Sequence, residues 1–182
     1  MTPLETAVLE VTSVLDSLSI PHMLIGGLAV ALWGEPRATL DADFTIWVEP
    51  EDLESSIAAL SQRLRALPAD PPGFARQTRV LPVETSAGVR VDLILGSLPY
   101  ERLAINRARR KEVAGGAVPV ASVEDLILMK LISERQKDID DARGLLRRFK
   151  ASLDRAYLKP RLVELAEALA RPDILQVLRE ES

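Results

Sequence analysis

The sequence has no cysteine. That absence removes thiolate nucleophiles, zinc–thiolate centres and disulfide frameworks together. It has one histidine, His22, too few for a multi-histidine metal site. Any metal must then be held by oxygen, which points to magnesium, manganese or calcium. No apolar run approaches the roughly 18 residues of a membrane span, and no basic-then-apolar leader opens the chain. The expectation is a cytoplasmic protein with no membrane partner. Internal repeats and low-complexity tracts are also lacking. A net charge of −4 argues against a protein coated broadly in nucleic acid, although Arg102, Arg107, Arg109, Arg110 and Lys111 form a local basic run.

What is present fits one domain, or one domain with a helical appendage, in 182 residues. Thr2-Pro3-Leu4-Glu5 is a capping box with proline at the first helical position. Leu4, Val8, Val11, Leu15 and Leu18 then mark one apolar helix face, ended by Pro21. Residues 22–26 read as a short buried strand broken by Gly26-Gly27, and 28–33 as a short helix. Residues 40–48 alternate: Leu40, Ala42, Phe44, Ile46 and Val48 point one way, Asp41, Asp43, Thr45 and Trp47 the other. A helix is expected from Pro50 to about Leu67, a loop over 68–73, and a hairpin of two strands over 76–84 and 89–95. The segment from Tyr100 to Arg110 is mixed, and extended pieces flank Gly115-Gly116. Ser122 to Asp125 caps a helix carrying Leu126 to Ile132, another spans 137–149, and the rest is helical with Pro160 and Pro172 as first-turn prolines. Strands precede helices, so the expectation is an α/β or α+β core over 1–120 and a C-terminal helical bundle over 121–182.

Asp41 and Asp43 share a strand face with Cα atoms roughly 6.6 Å apart. Asp92, in Val-Asp-Leu-Ile-Leu, joins them if its strand is adjacent. Carboxylates brought to about 4 Å repel by roughly 4 kcal/mol at an effective dielectric of 20. A bound divalent cation removes that cost, and magnesium suits a few carboxylates completed by phosphate oxygens and water. Gly26-Gly27, at a strand-to-helix junction, lets backbone N–H groups approach a phosphate. The plain alternatives are an amphipathic strand with one wet face and an ordinary glycine turn. Arg37 either grips a triphosphate or pairs with an aspartate. His22, Trp33 and Trp47 read better as packing residues than as chemistry.

The form Gly-Gly-x-Ala…Gly-x-x-Arg-x-Thr-x-Asp-x-Asp resembles the nucleotidyltransferase superfamily that includes DNA polymerase β. It looks closest to the minimal AbiEii-type branch, many of whose members are toxin–antitoxin components, and the lincosamide nucleotidyltransferases are similar in this region. A second block, Glu124 to Leu131 followed by Arg135-x-Lys137-Asp138-x-x-Asp141, is similar to the C-terminal motif of that branch. The resemblance implies a polymerase-β-like fold and a Mg2+-dependent (or Mn2+-dependent) transfer of a nucleoside monophosphate from a nucleoside triphosphate to an acceptor hydroxyl. It implies Asp41, Asp43 and Asp92 as catalytic metal ligands, with Asp92 also a candidate general base, and Gly26, Gly27, Arg37, Lys130 and Asp138 as nucleotide-binding residues. The acceptor is left open between a tRNA 3′ end, a protein side chain and a small molecule. A cognate toxin or antitoxin is a candidate partner. A catalytically silent antitoxin-like or nucleotide-binding protein on the same fold, and a lincosamide-type antibiotic nucleotidyltransferase, are the other readings.

Overall fold

Seven strands form one mixed sheet among the described residues. The structure, a computed structural model, describes residues 1–34, 39 and 41–180, with only the backbone of Glu180. The chain separates into two compact units, Met1–Ala29 with Ala38–Ala121 and Val30–Arg37 with Ser122–Ser182. The first carries the sheet and the second is helical.

The sheet unit opens on α1 (Pro3–Ser17). The Glu5 N–H donates to Thr2 Oγ1 at 3.2 Å and the Thr2 N–H donates to Glu5 Oε2 at 2.7 Å, so both helix-start donors are satisfied as the capping box requires. Its inner face buries Ala7, Val8, Val11 and Leu15. Strand β1 (His22–Ile25) leads into the helix α2 (Gly26–Leu32), and β2 (Ala42–Ile46) follows. Two further strands, β4 (Val80–Glu84) and β5 (Arg90–Leu95), form the expected hairpin, paired antiparallel, but the first starts at Val80 because residues 76–78 of the expected 76–84 strand belong to a helix. The glycine-flanking pieces are β6 (Arg109–Val113) and β7 (Gly116–Val120), also antiparallel. With the two-residue β3 (Arg65–Ala66), the order is β3-β4-β5-β2-β1-β7-β6. Strand β2 is central. It runs antiparallel to β1 and parallel to β5, with Phe44 and Ile46 fully buried beside Leu24 and Leu93.

Several elements depart from the sequence expectation. The helix expected from Pro50 to about Leu67 is a 3-10 turn (Pro50–Asp52) and α3 (Leu53–Ser61), after which the chain turns to add β3 to the sheet. Edge pairing with β4 there overrides local helix propensity. The expected loop at 68–73 runs into α4 (Pro71–Thr78), whose N-cap Asp70 accepts from the Gly73 N–H at 3.1 Å. Asp-Pro-Pro is a helix start as well as a loop signal. The mixed segment is α5 (Pro99–Arg107), fixed by Glu101 Oε2 accepting from the Ser97 and Leu98 N–H groups at 2.7 and 2.9 Å.

The helical unit contains α6 (Val123–Ile132), α7 (Gln136–Phe149), α8 (Arg155–Ala168) and α9 (Asp173–Glu180). Pro160 lies inside α8, not in its first turn; Asp154 caps that helix by accepting from the Tyr157 N–H at 3.0 Å. Leu126, Ile127, Leu131, Ala142 and Leu145 are fully or almost fully buried. Trp33 meets Phe149 edge-on at 5.5 Å, a packing role.

Candidate active site

Three strands bring the first site residues into one row. Ile25 at the end of β1 pairs with Asp43 on β2, and Asp43 pairs with Asp92 on β5. Paired residues share a sheet face, so the two carboxylates leave the same side as nearest cross-strand neighbours. Both are half-buried. Asp41 stands ahead of the strand rather than within it, because β2 starts at Ala42. It is exposed, and its Oδ1 accepts from Thr39 Oγ1 at 2.8 Å.

Gly26 closes this row on the β1 side. It has φ +72°, a left-handed conformation costly for other residues. A Cβ there would clash with Asp43 Oδ2 and lie 3.2 Å from Asp43 Cγ and 3.3 Å from its Cβ. The glycine is therefore required twice, by backbone conformation and by the carboxylate over it. Gly27 is buried in the first turn of α2. Gly26→Ala is expected to cost about 1–2 kcal/mol in conformation and to push the Asp43 carboxylate aside. Turnover should fall at least tenfold while the thermal midpoint drops only modestly. An alanine variant with wild-type turnover would show that the position of Asp43 is unimportant.

Sequence reasoning missed Arg90. Its Nε donates to Asp92 Oδ1 at 2.9 Å and its Nη2 to Asp92 Oδ2 at 3.2 Å. Hydrogen bonding and charge from Asp92, with lesser contributions from Asp41 and Asp43, push the guanidinium above its usual value against a small effect of burial. The signal was present as Arg-x-Asp on one strand, since a period of two puts both side chains on one face.

Hard carboxylate oxygens suit Mg2+ in kind, and Asp43 and Asp92 already stand side by side. The Arg90 guanidinium supplies positive charge to the same pair. With Asp92 held by Arg90 and Asp41 by Thr39, no three acidic or imidazole side chains among the described residues close on a metal position. The oxygen donors suit the ion in kind, in an arrangement in which Arg90 offsets the charge of Asp92.

Arg37 lies outside the described residues. Lys130 and Asp138 come together with each other, in the helical unit. Lys130 Nζ donates to Asp138 Oδ1 at 2.6 Å and sits 2.9 Å from Asp141 Oδ2. Asp138 Oδ2 also accepts from Ser133 Oγ at 2.8 Å and Arg135 Nε at 2.6 Å. Lys130 is 7% exposed and Asp138 1%, so these are not charges on a wet helix face. Burial pushes the Asp138 carboxyl up, but Lys130, Ser133 and Arg135 together hold it at about 2. Asp125 is a second buried carboxylate that the sequence did not flag; Tyr157 Oη and Ser122 Oγ each donate to it at 2.6 Å.

His22 and Trp47 lie at the opposite end of β1 and β2 from Gly26 and Asp43. Burial lowers the His22 pKa, and its Nδ1 is 2.9 Å from the Ile20 carbonyl oxygen. Trp47 Nε1 donates to Glu49 at 3.0 Å, with the Arg102 guanidinium 5.5 Å from its ring.

Residues 12–171 match the family described as "Nucleotidyl transferase AbiEii toxin, Type IV TA system". The chain belongs to the AbiEii nucleotidyltransferase family. No curated protein matches this AbiEii chain. Among solved structures, an antigenic nucleotidyltransferase-like protein from Paracoccidioides brasiliensis is similar with a TM-score of 0.57 at 22% identity, over 97% of this chain and 92% of that one. ANT(2″)-Ia, in complex with adenylyl-2″-tobramycin, gives 0.58 at 16% identity, over 91% and 98%. The lincosamide antibiotic adenylyltransferase LnuA, lincomycin-bound, gives 0.50 at 12% identity, over 78% and 95%. At these identities the likeness is one of fold, and it agrees with the mixed sheet described above. The family and the fold make this AbiEii member a nucleotidyltransferase. Among the described residues, no helix is long and apolar enough to cross a membrane.

Proposed function

We propose that the protein transfers a nucleoside monophosphate from a nucleoside triphosphate to a hydroxyl of an RNA 3′ end, with Mg2+ as cofactor, as the toxin of a toxin–antitoxin pair. The observation that carries the reading is the register Ile25–Asp43–Asp92, which sets two carboxylates side by side next to a glycine that leaves room for one of them. Asp41, Asp43 and Asp92 are the residues that would hold the ion, whose chemistry is neutralisation of phosphate charge and activation of the attacking hydroxyl. The acceptor oxygen forms a bond to the α-phosphorus, the bond to the bridging oxygen of the β-phosphate breaks, and pyrophosphate leaves. Asp92 accepts the hydroxyl proton, which requires Arg90 to release that carboxylate. Gly26 and Gly27 present backbone N–H groups to the phosphates. Lys130 and Asp138 serve as the ion pair that fixes α6 on α7; direct contact of Lys130 with a triphosphate would require that pair to open.

The RNA acceptor is favoured by the basic run, in which Arg109 and Arg110 are exposed on the edge strand β6. Incubation with each α-labelled triphosphate, Mg2+ and a pool of tRNA, proteins and small hydroxyl compounds tests the whole reading. Label is expected on tRNA, with binding at least tenfold weaker on going from about 50 to 200 mM salt. Label on a small molecule would replace the RNA acceptor. No label anywhere, with no thermal stabilisation by any triphosphate and Mg2+, would favour a silent binding protein on this fold.

A further inference from the structure

Arg90 stands opposite Glu84 across the β4–β5 hairpin. Glu84 is the nearest cross-strand carboxylate for it by register, yet Glu84 is held by Arg65, whose Nε donates to Oε1 at 3.0 Å. Arg90 reaches along its own strand instead and takes both oxygens of Asp92. Asp43 is in register on the neighbouring strand. Two like charges directly opposite each other are unfavourable in a sheet. A planar guanidinium that grips one of them through two hydrogen bonds relieves this without a metal.

We propose that Arg90 is a built-in counter-ion of the acid cluster: its guanidinium holds Asp92 in the metal-free enzyme, and a divalent cation must displace it to load the site. This rests on the reading that Asp43 and Asp92 hold the ion. The geometry suits displacement. The Arg90 side chain is 63% exposed and that of Asp92 30%, so the pair is weak and screened and opens toward water. A buried pair of the Lys130–Asp138 kind would not give way to an ion at ordinary concentrations. Arg90 therefore lowers affinity for the bare metal and offsets one of the facing carboxylate charges when none is bound. It is a positioning residue for Asp92, acting through the carboxylate it releases.

Mn2+ titration without nucleotide, followed by the electron paramagnetic resonance signal of the free ion, tests this independently of turnover. Arg90→Gln is expected to bind Mn2+ about 1.5–5-fold more tightly than wild type, the scale of one exposed ion pair removed. Arg90→Lys, which keeps the charge but loses the fork, should fall between them and carries the test if the glutamine variant does not fold. Asp43→Asn should lose binding in either background. Unchanged or weaker Mn2+ binding in Arg90→Gln, with binding to wild type lost in Asp43→Asn, would overturn the counter-ion role alone. No Mn2+ binding to wild type or variant would overturn the metal reading, and the Arg90 role with it.

Discussion

Asp43→Asn is expected to lower nucleotidyl transfer about a thousandfold or more, the scale seen when one group stabilising transition-state charge is removed. That corresponds to roughly 4 kcal/mol of transition-state stabilisation. The substitution is isosteric, so the side chain still fits against Gly26, where even a methyl group would be too much. Its effect on the fold should be small. Asp43 and Asp92 face each other in register, like charges so placed are destabilising, and the Arg90 guanidinium offsets part of that repulsion. The thermal midpoint should stay close to that of wild type. A single-turnover assay and a melting curve on the same preparation separate the two effects. A folded Asp43→Asn variant with wild-type transfer would remove Asp43 from the chemistry. A variant that loses activity only because it unfolds would reduce Asp43 to a structural residue.

That prediction draws on the part of the molecule most legible in the sequence. The alternation around Phe44 and the glycine pair after Leu24 placed Asp43 and Gly26 on adjoining elements. The condition that the Asp92 strand lie beside that of Asp43 is met residue for residue. What local reasoning could not supply was pairing between distant segments. Arg65 and Ala66 end a helical pattern, and only contact with Glu84 and Val83 makes them a strand. The Arg-x-Asp spacing put Arg90 on the face of Asp92, but only the pairing of Glu84 with Arg65 shows why it grips that carboxylate rather than Glu84. The same limit applied to α7, which sequence marked only as a helix over 137–149. Asp141 faces Lys130 on another helix, a contact that the spacing along α7 does not report. Proline was misread for a related reason. Pro71 starts a helix because Asp70 caps it, and Pro160 sits within one although proline usually marks a start or an end.

Lys130→Met is expected to be the most destabilising of these substitutions, by about 3–5 kcal/mol at neutral pH. The methionine fills the space of the lysine stem but leaves Asp138 and Asp141 facing each other without their shared cation. Asp138 keeps Ser133 and Arg135 as hydrogen-bond donors, which makes the loss smaller than for a wholly orphaned carboxylate. The pH dependence identifies the cause. Burial raises the Asp138 carboxyl, but Lys130, with Ser133 and Arg135, outweighs it and holds the group at about 2 in the folded protein, below its ordinary 3.8. A depressed carboxylate stabilises the fold fully above the unfolded value and loses that contribution as pH falls through the folded one. Wild type should therefore lose on the order of 2 kcal/mol from this group between about pH 4 and pH 2. In the methionine variant burial faces less opposition, so Asp138 protonates at higher pH and acid relieves the unpaired charge. The stability gap between the two proteins should narrow as pH falls through this window, read from denaturant unfolding at each pH. A gap that is constant from about pH 7 to pH 2 would mean that lost packing, not the ion pair, accounts for the damage.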